Sequence, residues 1–288
     1  MISILIAIAT FSLMLMLFKY FEKFKVNNLQ AIVFNYFTAG ILSLISSINT
    51  KTEIDKILSI DRNFFLSGLL IGFLFIVTFN LLAFGTQKVG IAIATVANKM
   101  SMIIPVIVGI YLFNEPFYLL QVAGLILALL AIYFTSTKRG KIEFNKKYLI
   151  IIILIFLGQG IADGVLNWAQ KTIVNSTNTT IFFAIIFLLA AIIGLLFMLY
   201  DLAKNKVKFQ LKSIYWGIFL GIPNFSTLYF FVNALQSNFL ESAQIFPIVN
   251  MGIIIFSTIG GILLFKEKLS SSNWVGIALA VIAIALIT

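Results

Sequence analysis

Apolar runs alternate with short polar breaks along the whole chain, at the spacing of helices that cross a bilayer, each needing about 20 residues. Runs of low charge predict spans at Ile2–Phe18, Leu29–Ile48, Phe64–Phe84, Val89–Phe113, Tyr118–Thr137, Tyr148–Asn167, Thr179–Tyr200, Ile214–Ala234, Ser242–Phe265 and Trp274–Thr288. Trp168, Trp216 and Trp274 fall at predicted span ends, with Tyr118, Tyr148, Tyr200 and Tyr215. Amphipathic rings settle at the headgroup level. The pattern predicts an all-α integral membrane protein of about ten transmembrane helices. The first residues enter an apolar stretch without a basic leader or a small-residue cleavage site, so the first span is read as retained.

A shift of 152 positions aligns 91–136 with 243–288 at 14 identities in 46 positions, pairing Asn98 with Asn250, Gly109 with Gly261, Glu115 with Glu267 and Gly124 with Gly276. Lys19 and Lys171 match at the same shift. The third and eighth spans each open on a small-xxx-small motif, Gly68 to Gly72 and Gly217 to Gly221, which lets helix backbones approach closely. The expected organisation is therefore a five-helix repeat over 1–137, a basic linker over 138–147 and a second five-helix repeat over 148–288. With an odd number of spans per repeat, the second copy is inverted in the membrane, an architecture used by transporters.

Composition narrows the function. The 288 residues are 61% hydrophobic and 10% charged, with a mean hydropathy of +1.09, against about 45–50% apolar in soluble domains. That excludes a soluble globule. The net charge of +10 does not indicate nucleic acid, because Lys and Arg lie almost entirely between the apolar runs, where they orient spans. Loops leaving odd-numbered spans carry 15 of the 20 basic residues, including Lys138, Arg139 and Lys141, and the opposite loops carry four. By charge, both termini lie outside the cytoplasm. The absence of Cys and His removes disulfides, thiolate chemistry and the usual metal ligands. No phosphate-binding loop of the G-x-x-x-x-G-K type is present, and no cofactor is implied.

The ten-span layout, with Phe113-Asn114-Glu115-Pro116 to Gly124 in one half and Phe265-Lys266-Glu267-Lys268 to Gly276 in the other, resembles the drug/metabolite transporter superfamily of EamA type. The resemblance implies a multi-pass protein of the cell (plasma or inner) membrane that moves a small metabolite or drug, often outward. Its substrate would be amino-acid-like or another organic solute, and its partners that solute and the lipid bilayer. It also implies cytoplasmic termini, against the charge count, so orientation stays open.

Two charged residues fall inside spans, Lys99 and Asp163, each costing about 2.5–3.5 kcal/mol on insertion scales. Lys99 is a candidate for binding an anionic substrate group. Asp163 is a candidate for carrying a coupling proton or receiving a substrate amine, with Gln159, Gly160, Gly164 and Asn167 around it as a wet path. A structural ion pair, or snorkelling of the lysine to water, competes with both readings. Asn98 and Asn250 are repeat mates suited to substrate contact or to helix pairing, while Lys99 aligns with Met251, so charge recognition there is asymmetric. Gln244, Asn35 and Tyr36 are further binding candidates; Asn80 and Asn224 read more as helix-to-helix contacts.

Pro105, Pro223 and Pro247 free backbone carbonyls within spans, and Pro105 and Pro247 are candidate kinks or gates. Glu115 and Glu267, with Gly124 and Gly276, read as structural repeat positions, each carboxylate favouring the N-terminus of the helix that follows it. The leading expectation is a secondary transporter working by alternating access, coupled to a proton, to a counter-substrate or to nothing but the solute gradient. A lipid-modifying intramembrane enzyme would need a cluster of acid/base groups, and a non-transport subunit would need neither Lys99 nor Asp163.

Overall fold

The structure is a computed structural model and describes residues 1–47, 62–113, 118–136, 146–173, 179–236 and 242–287. All regular elements among them are α-helices: α1 Ile2–Lys23, α2 Asn28–Ser47, α3 Arg62–Lys88, α4 Ile91–Met100, α5 Ile103–Phe113, α6 Leu119–Ser136, α7 Lys146–Thr172, α8 Thr179–Ala203, α9 Leu211–Gln236, α10 Ser242–Phe265 and α11 Ser271–Ile287. Among the described residues, eight stretches have the length and hydropathy of a membrane span, with α4 and the start of α5 forming one of them, Ile91–Gly109. Two shorter apolar helices, Leu119–Thr135 and Ser271–Ile287, stand where the fifth and tenth spans are predicted. The chain is thus an all-α, multi-pass membrane protein. The linker 138–147 lies outside the described residues except for Lys146 and Lys147, which open α7.

The fourth span departs from the expectation of one continuous helix. It breaks at Ser101–Met102, between α4 and α5. Pro105 has no N–H to offer the Ser101 carbonyl, and its ring crowds that carbonyl. The Ser101 carbonyl accepts instead from Ile104 N–H at 3.0 Å, and Met102 N–H bonds the Lys99 carbonyl at 3.4 Å, both three residues back rather than four. The ladder resumes at Val106 N–H to the Met102 carbonyl. Pro223, by contrast, lies inside an unbroken α9.

The helices form two compact units, each drawing on both halves of the chain: Met1–Tyr20, Leu81–Gly160 and Ser226–Thr288 in the first, Phe21–Asn80 and Ile161–Phe225 in the second. In the first unit α6 packs along α11, around Val96, Ala128, Ala131, Ile254, Ala280 and Ile284. Gly124 and Gly276 make this crossing close. A Cβ on Gly124 would lie 3.0 Å from the Ala283 carbonyl oxygen, and one on Gly276 would lie 2.9 Å from that of Ala131. Without a hydrophobic force between helices in lipid, such close backbone approach supplies the packing.

Polar side chains fasten the ends of the same crossing. Asn273 Nδ2–H donates to the Thr135 carbonyl at 2.8 Å, and Gln121 Nε2–H to the Ile287 carbonyl at 3.2 Å. Their oxygens turn inward to cap their own helices: Asn273 Oδ1 accepts from Ser270 N–H at 2.8 Å, and Gln121 Oε1 from Tyr118 N–H at 3.1 Å.

Glu267, just past the end of α10, reaches a different helix from the one that follows it. Its two carboxylate oxygens accept the Ile91 N–H at 2.9 and 3.1 Å, so it caps α4 rather than the α11 that follows it. The start of α11 is already filled by a local capping box, in which Ser270 Oγ also accepts Asn273 N–H at 3.2 Å. Gly90, the residue before α4, has a φ of 113° and leaves room for the carboxylate. A negative charge there complements the positive end of the helix dipole. Glu115 lies outside the described residues.

In the second unit α2 packs along α8. The two small-xxx-small motifs seat their helices on this pair: a Cβ on Gly72 of α3 would meet Ala190 N of α8 at 3.0 Å, and one on Gly221 of α9 would meet the Asn35 carbonyl oxygen of α2 at 2.8 Å.

A polar candidate site in the first unit

Lys99 and Asn98 occupy the last turn of α4, just before the proline-induced break. A cation there faces the negative end of the helix dipole, which lowers the cost of placing it in an apolar helix. Lys99 is half-buried, and its Nζ sits 3.8 Å from the centroid of the Phe11 ring on α1. Cation–π contacts strengthen as water is excluded.

Asn98 is buried, and its Nδ2–H donates to Gln159 Oε1 of α7 at 3.1 Å. Its carbonyl accepts the Ser101 hydroxyl at the helix end. Gly160 lets α7 come close, since a Cβ there would collide with Ile104 of α5. On the α1 side, Thr227 Oγ1–H of α9 donates to Thr10 Oγ1 at 2.9 Å, next to Phe11. Gly252 of α10 meets Ile8 of α1, one turn before Phe11. The first unit thus holds an amide pair, Asn98 with Gln159, a hydroxyl pair, Thr10 with Thr227, and the Lys99 ammonium over the Phe11 ring.

Asn250 lies in α10 two positions from Gly252, half-buried, and Met251 beside it is the apolar counterpart of Lys99. Gln244 and Pro247 fall in the first turns of α10, with side chains outside the described ones. Pro105 stands in the first turn of α5, after the break at Ser101–Met102.

Asn35, Tyr36 and Asp163 belong to the second unit. Asn35, 0% exposed, accepts from Asn224 Nδ2–H at 3.1 Å, while its own Nδ2 has no acceptor. The Tyr36 hydroxyl donates to the Phe75 carbonyl at 3.0 Å, and its ring packs between Phe79 and Phe187. Asn80 turns back to the Ile76 carbonyl of its own helix. Asp163 is half-buried in α7. Gln159, one turn before Asp163 on α7, accepts from Asn98.

Sequence reasoning missed Phe11, Thr10 and Thr227. One phenylalanine among 30 carries no signal, and hydroxyl residues in spans usually bond their own helix, as Thr10 Oγ1 also does to the Ile6 carbonyl at 2.7 Å.

A family model described as the EamA-like transporter family matches residues 1–137. An uncharacterized protein of Haemophilus influenzae is 29% identical over 262 residues, covering 88% of this chain and 86% of its own length. A protein crystal structure superposes with a TM-score of 0.62 over 99% of this chain and 96% of that one, at 15% identity, a likeness of fold.

Proposed function

We propose that the protein, whose residues 1–137 match the EamA-like transporter family of the drug/metabolite transporter superfamily, is a secondary transporter of a small organic solute, working by alternating access in the plasma or inner membrane. The second half is read as an inverted duplicate of the first. Contacts that recur at a spacing of 152 support this: Gln121 with Asn273, and Gly124 with Gly276, make equivalent bonds and crossings.

The observation that carries the substrate reading is the half-buried ammonium of Lys99 over Phe11, beside the Asn98–Gln159 amide pair. In a low-dielectric span a cation is retained where it meets a partner or a solute of opposite charge. We assign to Lys99 the anionic group of the solute, a carboxylate in an amino-acid-like substrate, and to Asn98, Gln159 and Asn250 its remaining polar groups. Asp163 is assigned the coupling proton.

The test is thermal unfolding of detergent-purified protein against amino acids, organic anions, nucleosides and cationic drugs. A ligand at 100 times its dissociation constant adds about 2.7 kcal/mol to the stability of the state it binds. A shift with an anionic solute that is lost in Lys99→Met, with ligand-free stability retained, supports the reading. An equal shift in Lys99→Met, or none with any solute, overturns it.

A further inference from the structure

Six lysines gather at one end of the second unit, on two short loops that carry a binding geometry of their own. Lys23 and Lys25 lie where α1 ends; Lys204, Lys206, Lys208 and Lys212 lie between α8 and the first turn of α9, and all six are exposed. The acids beside them are Glu22 and Asp201, and Asp201 is 3.5 Å from Lys206.

Both loops are fixed rather than merely short. Each preceding helix ends in a Schellman cap: Val26 N–H bonds the Phe21 carbonyl at 2.9 Å with Lys25 at φ 51°, and Lys206 N–H bonds the Asp201 carbonyl at 3.0 Å with Asn205 at φ 54°. The loops are then clasped together. The fully buried Gln30 donates to the Lys208 carbonyl and accepts from Gln210 N–H, each at 2.9 Å. Ser213 Oγ accepts Asn27 N–H at 3.1 Å, and Lys212 Nζ reaches the Phe24 carbonyl at 2.9 Å. Trp216 stacks on Phe24 with ring centroids 5.2 Å apart, the kind of aromatic pair that sits at headgroup depth.

We propose that this clasp is a binding site for the headgroup of an anionic phospholipid. Lysines at the ends of membrane helices, beside aromatic rings, meet lipid phosphates at the bilayer surface, and juxtamembrane basic clusters bind anionic lipid electrostatically. A zwitterionic headgroup carries its own cation and gains little from six more. Because the clasp holds the loop backbones, the charges are presented together without the entropy of ordering a free loop. The site is independent of the transport reading, since it uses only the membrane surface.

The full-length protein in neutral detergent is titrated with short-chain phosphatidylglycerol, with phosphatidylcholine of the same chain length and with glycerol 3-phosphate, following thermal unfolding. Phosphatidylglycerol is expected to raise the unfolding temperature, by less at high salt, and the other two to have little effect. Replacing Lys23, Lys25, Lys204 and Lys208 by Gln should weaken the response to phosphatidylglycerol at least about tenfold, whereas Arg at the same positions keeps it. If the fourfold Gln variant does not fold, Lys23/Lys25 and Lys204/Lys208 are replaced as pairs. Equal shifts with both lipids, a response to glycerol 3-phosphate matching that of the lipid, or an undiminished response in the Gln variants would each overturn the proposal.

Discussion

Gln121 and Asn273, 152 positions apart, make the same two hydrogen bonds. Each side-chain oxygen accepts the N–H of the residue three positions before it, Tyr118 or Ser270, and each amide N–H donates to a carbonyl at the end of the helix it crosses, Ile287 or Thr135. Those four partners are also 152 apart in pairs, so the α6–α11 crossing is built twice from one plan. Asn273→Ala removes both a cap and an interhelical bond and is expected to cost about 1–2 kcal/mol. Gln121 lies at a more open helix start, and Gln121→Ala should cost about half of that. Denaturant unfolding in detergent compares the two.

Gly276→Ala tests the crossing itself. The added methyl would meet Thr135 N at 2.6 Å and the Ala131 carbonyl oxygen at 2.9 Å, both backbone atoms that cannot rotate away. Overpacking of about 1–3 kcal/mol is expected. Gly124→Ala should show a similar loss in the same unfolding assay.

The cap of α4 makes a ranked prediction. Glu267→Gln keeps an acceptor for Ile91 N–H and loses only the interaction of charge with dipole, about 0.3–1 kcal/mol. Gly90→Ala forces a side chain into a φ of 113° and against the carboxylate oxygens at 3.3 Å. It should be the more destabilising of the two, by about 1–3 kcal/mol. Reversal of this order in melting experiments would mean that the carboxylate, not the backbone turn, dominates the junction.

Phe11→Leu keeps an apolar side chain but removes the ring face under the Lys99 ammonium. With cation–π contacts of about 0.5–2 kcal/mol, uptake into proteoliposomes should show a change in KM of about two- to thirtyfold, while Phe11→Tyr stays near the parent. Equal KM values for the Leu and Tyr variants would remove Phe11 from the site.

Asn35 and Asn224 should couple. A double-mutant cycle with Ala at both positions is expected to return about 0.6 kcal/mol, the typical value for polar pairs between membrane helices. A coupling near zero in thermal unfolding would show that their 3.1 Å contact contributes no stability.

Asp163→Asn removes the only ionisable group assigned to coupling. Uptake driven by an imposed pH gradient should fall to background while solute exchange persists. Unchanged pH-driven uptake rejects the assignment.

What could be read in the sequence was what repeats locally. Apolar run length placed the spans, and the 152-residue shift singled out Gly124, Gly276 and Glu267, all of which stand at helix contacts. The shift could not say which helix Glu267 would reach, because a carboxylate past the end of one span has several helix starts within range. Pro105 marked a weak point in the fourth span, but the break itself depends on where the Ser101 carbonyl finds a substitute donor. Phe11 under Lys99, Thr10 with Thr227 and Gln30 between two loops are pairings across long stretches of chain, and neither hydropathy nor spacing encodes them.

The shortness of α6 and α11 bears on the bilayer itself. At 1.5 Å per residue, helices of 18 and 17 residues are about 26 Å long, less than the roughly 30 Å of an average hydrocarbon core. The glycine crossing and the hydrogen bonds Asn273 to Thr135 and Gln121 to Ile287 tie these two stretches together along their length. Reconstitution into a series of acyl-chain lengths should therefore favour the thinner membranes, with hydrophobic mismatch at this crossing opposing stability as the chains lengthen.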